Sequence, residues 1–176
     1  DLTFYKITYD GQIYFPITEE WTLKLRTELG YGGGYLDTEL IPFYEHYYAG
    51  GFGSVRGFKN STLGPRTTSP IIGPYYYDED GDPYGGNVLI EGGAELIFPM
   101  PFVEDGRQFR PVIFFDVGNV FQTECFEFSQ NCFGVDVDEF RYSVGTGITW
   151  LAGLGPMSFS YAWTFNTKEV DREESF

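Results

Sequence analysis

Six stretches of this chain alternate apolar and polar residues with a period of two, the signature of strands with two unlike faces. In residues 5–15, Tyr5, Ile7, Tyr9, Ile13 and Phe15 share one face, and Lys6, Thr8, Asp10 and Gln12 share the other. In residues 21–31, Trp21, Leu23, Leu25, Leu29 and Tyr31 oppose Lys24, Arg26 and Glu28. In residues 88–98, Val88, Ile90, Ala94, Leu96 and Phe98 oppose Glu91, Gly93 and Glu95. Residues 111–117 are short and largely apolar, with Asp116 on the face of Val112 and Phe114. In residues 140–150, Phe140, Tyr142, Val144, Ile148 and Trp150 oppose Arg141, Ser143, Gly145, Gly147 and Thr149. In residues 157–165, Met157, Phe159, Tyr161, Trp163 and Phe165 oppose Ser158, Ser160, Ala162 and Thr164.

A soluble sandwich also alternates, but its core positions are mainly aliphatic. Here one face carries large aromatics near the strand ends, and the other carries charges, Gly and Ser. That is the lipid-out, lumen-in pattern of an outer-membrane β-barrel with aromatic girdles. The connections support it: 16–20, 99–108 and 152–156 are short, whereas 32–87, 118–139 and 166–174 are longer. Short turns at one end and long loops at the other are typical of such barrels, with the long loops outside. The 32–87 segment is too long for a structureless hairpin loop and reads as functional. Six strands are too few to close a barrel, and open edges in lipid would leave backbone groups unpaired. The expectation is therefore an all-β, antiparallel segment of about six strands from a larger transmembrane barrel. The other possibility is a fragment that closes by pairing with a second copy.

Composition sharpens this picture. Aromatics make up 20% of the 176 residues and Gly accounts for 23 of them, which favours strands over helices. No apolar run is long enough for a transmembrane helix. The mean hydropathy of −0.23 leaves a barrel open, because a barrel strand is apolar only at alternate positions. A net charge of −15 argues against nucleic acid or an anionic lipid surface as partner. The chain starts at Asp1 without Met or a signal-like segment, so a mature form or an internal fragment is expected. Cys125 and Cys132 lie close together with no neighbouring His or further Cys. They read as a short-loop disulfide in an oxidising compartment, the other reading being two free thiols. No metal site is expected there.

The candidate chemistry centres on Val55-Arg56-Gly57-Phe58, one arginine in a glycine-rich loop. An arginine stays charged, so burying it requires an anionic partner. In a barrel lumen that partner can sit on the inner wall. Other signals are weak. Asp78-Glu79-Asp80-Gly81-Asp82 resembles half a calcium loop, but the bidentate acid expected at its twelfth position is replaced by Leu89. The 51–57 glycines lack dinucleotide-fingerprint spacing. His46, among Tyr44, Tyr47 and Tyr48, reads as a packing residue. No nucleophile-base pair is evident, so neither an enzyme nor a cofactor is expected.

Taken in order, several motifs resemble the C-terminal part of the barrel of the BamA family, the central component of outer-membrane protein assembly. They are Pro42-Phe43-Tyr44-Glu45, Tyr48-Ala49-Gly50-Gly51, Val55-Arg56-Gly57-Phe58, Leu63-Gly64-Pro65, Ala94-Glu95-Leu96-Ile97-Phe98-Pro99, Phe114-Phe115-Asp116-Val117-Gly118, and Leu154-Gly155-Pro156 with Phe159-Ser160-Tyr161-Ala162. The resemblance covers essentially the whole chain. It implies a barrel of about sixteen strands, preceded in the parent by periplasmic POTRA domains absent from this chain. It makes 32–87 the sixth extracellular loop, folded into the lumen. Carried over by motif, Arg56 is the loop arginine, Val55, Gly57 and Phe58 complete the loop signature, and Glu95, Phe114 and Asp116 are its wall partners. The implied setting is the outer membrane of a Gram-negative cell. The implied role of the parent is to fold and insert β-barrel proteins without ATP. Its partners would be outer-membrane lipid, nascent barrel substrates and lipoprotein subunits. The chain ends where the family continues into its last strand, so by itself it is not expected to catalyse insertion. Competing readings are a two-partner secretion or translocation barrel exporting one dedicated substrate, a plain porin, and a soluble aromatic-rich β-domain.

Overall fold

The computed structural model describes residues 2–67, 81–100, 108–127, 129–153 and 155–176. Its strands are β1 (Phe4–Pro16), β2 (Thr22–Gly34), β3 (Gly57–Phe58), β4 (Arg66–Thr67), β5 (Val88–Ile97), β6 (Phe109–Phe121), β7 (Ser129–Gln130), β8 (Arg141–Ala152), β9 (Gly155–Phe165) and β10 (Glu173–Glu174). The six long ones match the six alternating stretches. They form one antiparallel sheet in the order β1-β2-β5-β6-β8-β9, so each long strand pairs with the next. The sheet is open, with β1 and β9 at its edges.

β6 runs well beyond residues 111–117. Gly118 and Asn119 break the alternation, yet the strand continues because Asn119 turns its amide onto the carbonyl of Glu139 and Val120 and Phe121 are fully buried. One short turn follows β1, where the amides of Ile17 and Thr18 donate to the carbonyl of Trp21 at 2.8 and 3.2 Å. Residues 101–107 of the β5–β6 turn and Leu154 of the β8–β9 turn fall outside the described residues. So does most of the half calcium-loop pattern, residues 78–80.

At the opposite end the long connections fasten to one another. Cys125 and Cys132 form a disulfide with a Cα–Cα distance of 5.8 Å. Beside it, β7 pairs with β4 of the long loop (Arg66↔Gln130, Thr67↔Ser129), and Asn131 Nδ2 donates to the carbonyl of Gly64 at 2.9 Å. Tyr84 and Ser129 share a hydroxyl–hydroxyl bond of 2.8 Å.

The packing is inside out relative to a soluble sheet. Ile7, Tyr9, Ile13, Ile113, Phe159, Trp163 and Phe165 lie more than half exposed on the convex face. The buried apolar cluster lies on the concave side. There Tyr47, Ala49, Val55, Phe58 and Leu63 of the long loop pack on Leu89 and Val120 of the wall. Leu89 and Val120 are register partners near the long-loop end. The inner face is thus apolar where the loop enters and charged further down. Among the described residues no helix is long and apolar enough to cross a membrane, which leaves crossing by strands open.

A charge on the convex face should be costly and one on the concave face tolerated. Val144→Arg should lower the stability of the intact barrel by about 2–4 kcal/mol if it lies near the bilayer midplane, and Thr149→Lys by under about 1 kcal/mol. Urea titration of heat-modifiable gel mobility measures both. Equal losses would show that the faces are wrongly assigned.

Candidate functional site

Strand register places the site on two neighbouring rows of inward-facing residues. One row runs Arg26–Gly93–Asp116–Ser143–Thr164 across β2, β5, β6, β8 and β9. The next, one pleat nearer the short turns, runs Lys24–Glu95–Phe114–Gly145–Ala162. The long loop descends the inner face until Arg56 lies over both rows.

Arg56 is 6% exposed. Its Nε and Nη2 donate to the two oxygens of Asp116 at 2.6 and 2.9 Å, a bidentate fork. Its Nη1 reaches Glu95 Oε1 at 2.8 Å. The guanidinium carbon lies 3.5 Å from the centroid of the Phe114 ring, within cation–π range. The Arg56 backbone amide also donates to Asp116 Oδ2, at 3.3 Å. Burial pulls the pKa of this loop guanidinium down, but Asp116 and Glu95 more than reverse the pull and leave it raised.

Gly57 makes this approach possible. Its φ of +93° lies in the region that favours glycine, and an added Cβ would stand 2.7 Å from Thr164 Cγ2. Across the wall, Gly145 leaves room for Phe114, since a Cβ there would meet the ring at 2.4 Å. Val55 and Phe58 flank the turn as fully buried anchors in the apolar cluster above. Arg56, Glu95, Phe114 and Asp116 are thus brought together, while Cys125 and Cys132 lie apart in the β6–β8 connection.

Residues outside the motif complete the site. Arg26 Nη2 donates to Asp116 Oδ1 at 3.1 Å, so this carboxylate serves two arginines. The same Arg26 holds the loop backbone, donating to the carbonyls of Gly53 and Ser54. Ser54 Oγ donates to Glu91 and accepts from the Gly50 amide at 2.7 Å. Lys24 Nζ sits 3.2 Å from Glu95 Oε2, so Glu95 is also shared. Alternation put Arg26, Lys24 and Glu91 on inward faces, but only the register shows which wall residue meets which. His46 packs in the loop, its Nδ1 2.8 Å from the carbonyl of Tyr84. Among the described residues no cluster could hold a metal ion. The arrangement holds and positions a loop.

An open antiparallel sheet with an apolar outer face, carrying a long loop clamped to its inner wall, is a portion of an outer-membrane β-barrel. Residues 1–176 match the Omp85 superfamily domain, and the chain belongs to that family. It is 38% identical to the outer membrane protein assembly factor BamA of Neisseria meningitidis serogroup B, over 99% of this chain and 23% of that protein. It is 26% identical to the human sorting and assembly machinery component 50 homolog, over 92% of this chain and 35% of that protein. The crystal structure of BamA from Haemophilus ducreyi lacking POTRA domains 1–3 superposes with a TM-score of 0.81 at 30% identity, over 98% of this chain and 34% of that one. The chain therefore spans roughly a quarter to a third of these relatives' length.

The sharing of carboxylates ranks the wall residues. Asp116→Ala strands two guanidiniums and should destabilise the intact barrel by about 3–5 kcal/mol. Glu95→Ala, at the more open site, should cost less. Arg56→Lys should recover little of the loss caused by Arg56→Ala, because an ammonium cannot make the planar fork. Urea unfolding in detergent measures all four. Full recovery by lysine would contradict the fork.

Proposed function

We propose that this chain is the C-terminal part of the barrel of an assembly factor that folds and inserts β-barrel proteins into the outer membrane of a Gram-negative cell. The observation that carries the reading is the seated loop arginine in a chain that aligns with an assembly factor over 99% of its length. In this reading residues 32–87 are the sixth extracellular loop. The parent carries POTRA domains outside this chain, and it works without ATP, cofactor or enzymatic chemistry. Its partners are outer-membrane lipid, nascent barrel proteins and lipoprotein subunits of the complex.

Mechanistically, a barrel that hands strands to the membrane needs an edge that can open while its lumen stays organised. Arg56 supports the second requirement. It joins the loop to β5 and β6 through Glu95 and Asp116, and Arg26 extends the clamp to β2. The inner wall then behaves as one unit with the loop, and any strand exchange is confined to seams elsewhere. The outward aromatics keep that wall in lipid.

Depletion of the intact protein, complemented with wild type or Arg56→Glu, tests this. Quantitative proteomics should show many outer-membrane barrels falling on depletion. Arg56→Glu should fail to restore them at normal protein levels. Loss of a single exported protein would instead favour a dedicated secretion barrel.

A further inference from the structure

Glu91, Glu95 and Asp116 meet the seated loop, and each also has a cation on the wall itself. Lys24 lies directly across from Glu95 in the β2–β5 register, and its Nζ is 3.2 Å from Oε2, while Arg56 takes Oε1. Arg26 Nη2 reaches Asp116 Oδ1 at 3.1 Å. Arg26 Nη1 stands 3.9 Å from Oε2 of Glu91, whose Oε1 accepts from Ser54 of the loop. These acids of β5 and β6 are therefore faced from two sides: by Arg56 and Ser54 on the loop, and by Lys24 and Arg26 on β2.

Burial makes the second set of partners matter. The side chains of Glu91 and Asp116 are all but sealed from solvent, and that of Glu95 is largely covered. A carboxylate so placed and left without a cation carries a large desolvation cost. The β2 cations meet that cost from where they already stand. Arg26 must cross a whole strand to reach Asp116, and it does so over Gly93, the residue between them in the row. A Cβ on Gly93 would stand 2.7 Å from Asp116 Oδ1 and 2.8 Å from Arg26 Nε. The wall thus keeps a gap open for a contact in which the loop has no part. Arg26 Nη1 also donates to the carbonyl of Gly53. That donor comes free when the loop leaves, just as Glu91 loses the Ser54 hydroxyl, and the two groups are already within ion-pair distance.

We propose that Lys24 and Arg26 are standing counter-ions, which keep the seat assembled and its carboxylates paired while the loop is out. The wall then forms before the loop docks and stands after it leaves. Seating is a separate step, in which Arg56 joins acids already held in position. Without the β2 cations, wall and loop would have to form together, because the acids could not be buried before Arg56 arrived. The residues concerned lie on β2, β5 and β6, all interior to the sheet, and the inference does not rest on the assembly role.

Hydrogen–deuterium exchange of the intact protein in lipid nanodiscs tests it, with peptides covering 50–58 reporting the loop, and 92–96 and 113–117 the wall. Arg56→Ala should speed exchange of the loop about tenfold, the loss of one or two modest hydrogen bonds, and leave the wall within about twofold of wild type. Lys24→Ala alone should also leave the wall unchanged, because Arg56 still holds Glu95. Together the two substitutions strip Glu95 of both cations, and wall exchange should rise about tenfold. Adding Glu95→Gln should bring the wall back to within about twofold of wild type, since no bare charge remains, whereas lost packing would not be restored this way. Wall exchange that rises as far in Arg56→Ala as in the double variant, or that Glu95→Gln fails to lower, would overturn the proposal. Should the double variant not fold, Gly93→Ala gives an independent reading, because it parts Arg26 from Asp116 without removing a charge. It should speed wall exchange more in the Arg56→Ala background than with Arg56 in place, and equal effects in the two backgrounds would contradict the stand-in role.

Discussion

The structure depends on how one permanent positive charge is kept out of water. A guanidinium cannot shed its proton at any accessible pH, so its burial must be answered by fixed anions. Asp116 supplies a two-oxygen fork, Glu95 a third contact and Phe114 the face of a ring. These three come from two adjacent strands whose register is set by ten consecutive paired positions. A slip of one residue would turn Asp116 and Glu95 into the lipid. The charge and the register therefore support one another.

Around this pair the barrel wall inverts the usual distribution of apolar surface. Its large side chains face outward, where lipid replaces a protein core, and its protein core lies inside, between loop and wall. The loop is then part of the fold as much as a connection between strands. Val55, Phe58 and Leu63 bury themselves on Leu89 and Val120, and Arg56 adds direction to that burial. Apolar packing holds the loop without strong preference for depth. The fork to Asp116 is what specifies how far down it sits.

Much of this was legible from the chain alone. Alternation located all six long strands, because lipid on one side and a lumen on the other impose a strict two-residue period on residues such as Tyr5 to Phe15 and Met157 to Phe165. The loop motif and its wall partners came from ordered resemblance. Three features stayed hidden. β6 is longer than its pattern because Gly118 and Asn119 satisfy the ladder without looking apolar. The role of Arg26 was invisible because alternation gives a face but not a neighbour. The pairing of Glu173 and Glu174 with Phe58 and Gly57 joins segments more than a hundred residues apart, through backbone groups that carry no side-chain signature.

The two rows that cradle Arg56 cut across the order of the chain. Arg26, Gly93, Asp116, Ser143 and Thr164 are strangers in sequence but neighbours in the wall. Lineages that drift at one of them change the room and charge left to the other four. Heritable variation in this barrel should therefore travel in sets drawn from five strands, and a strand transplanted alone from a relative would arrive without its row.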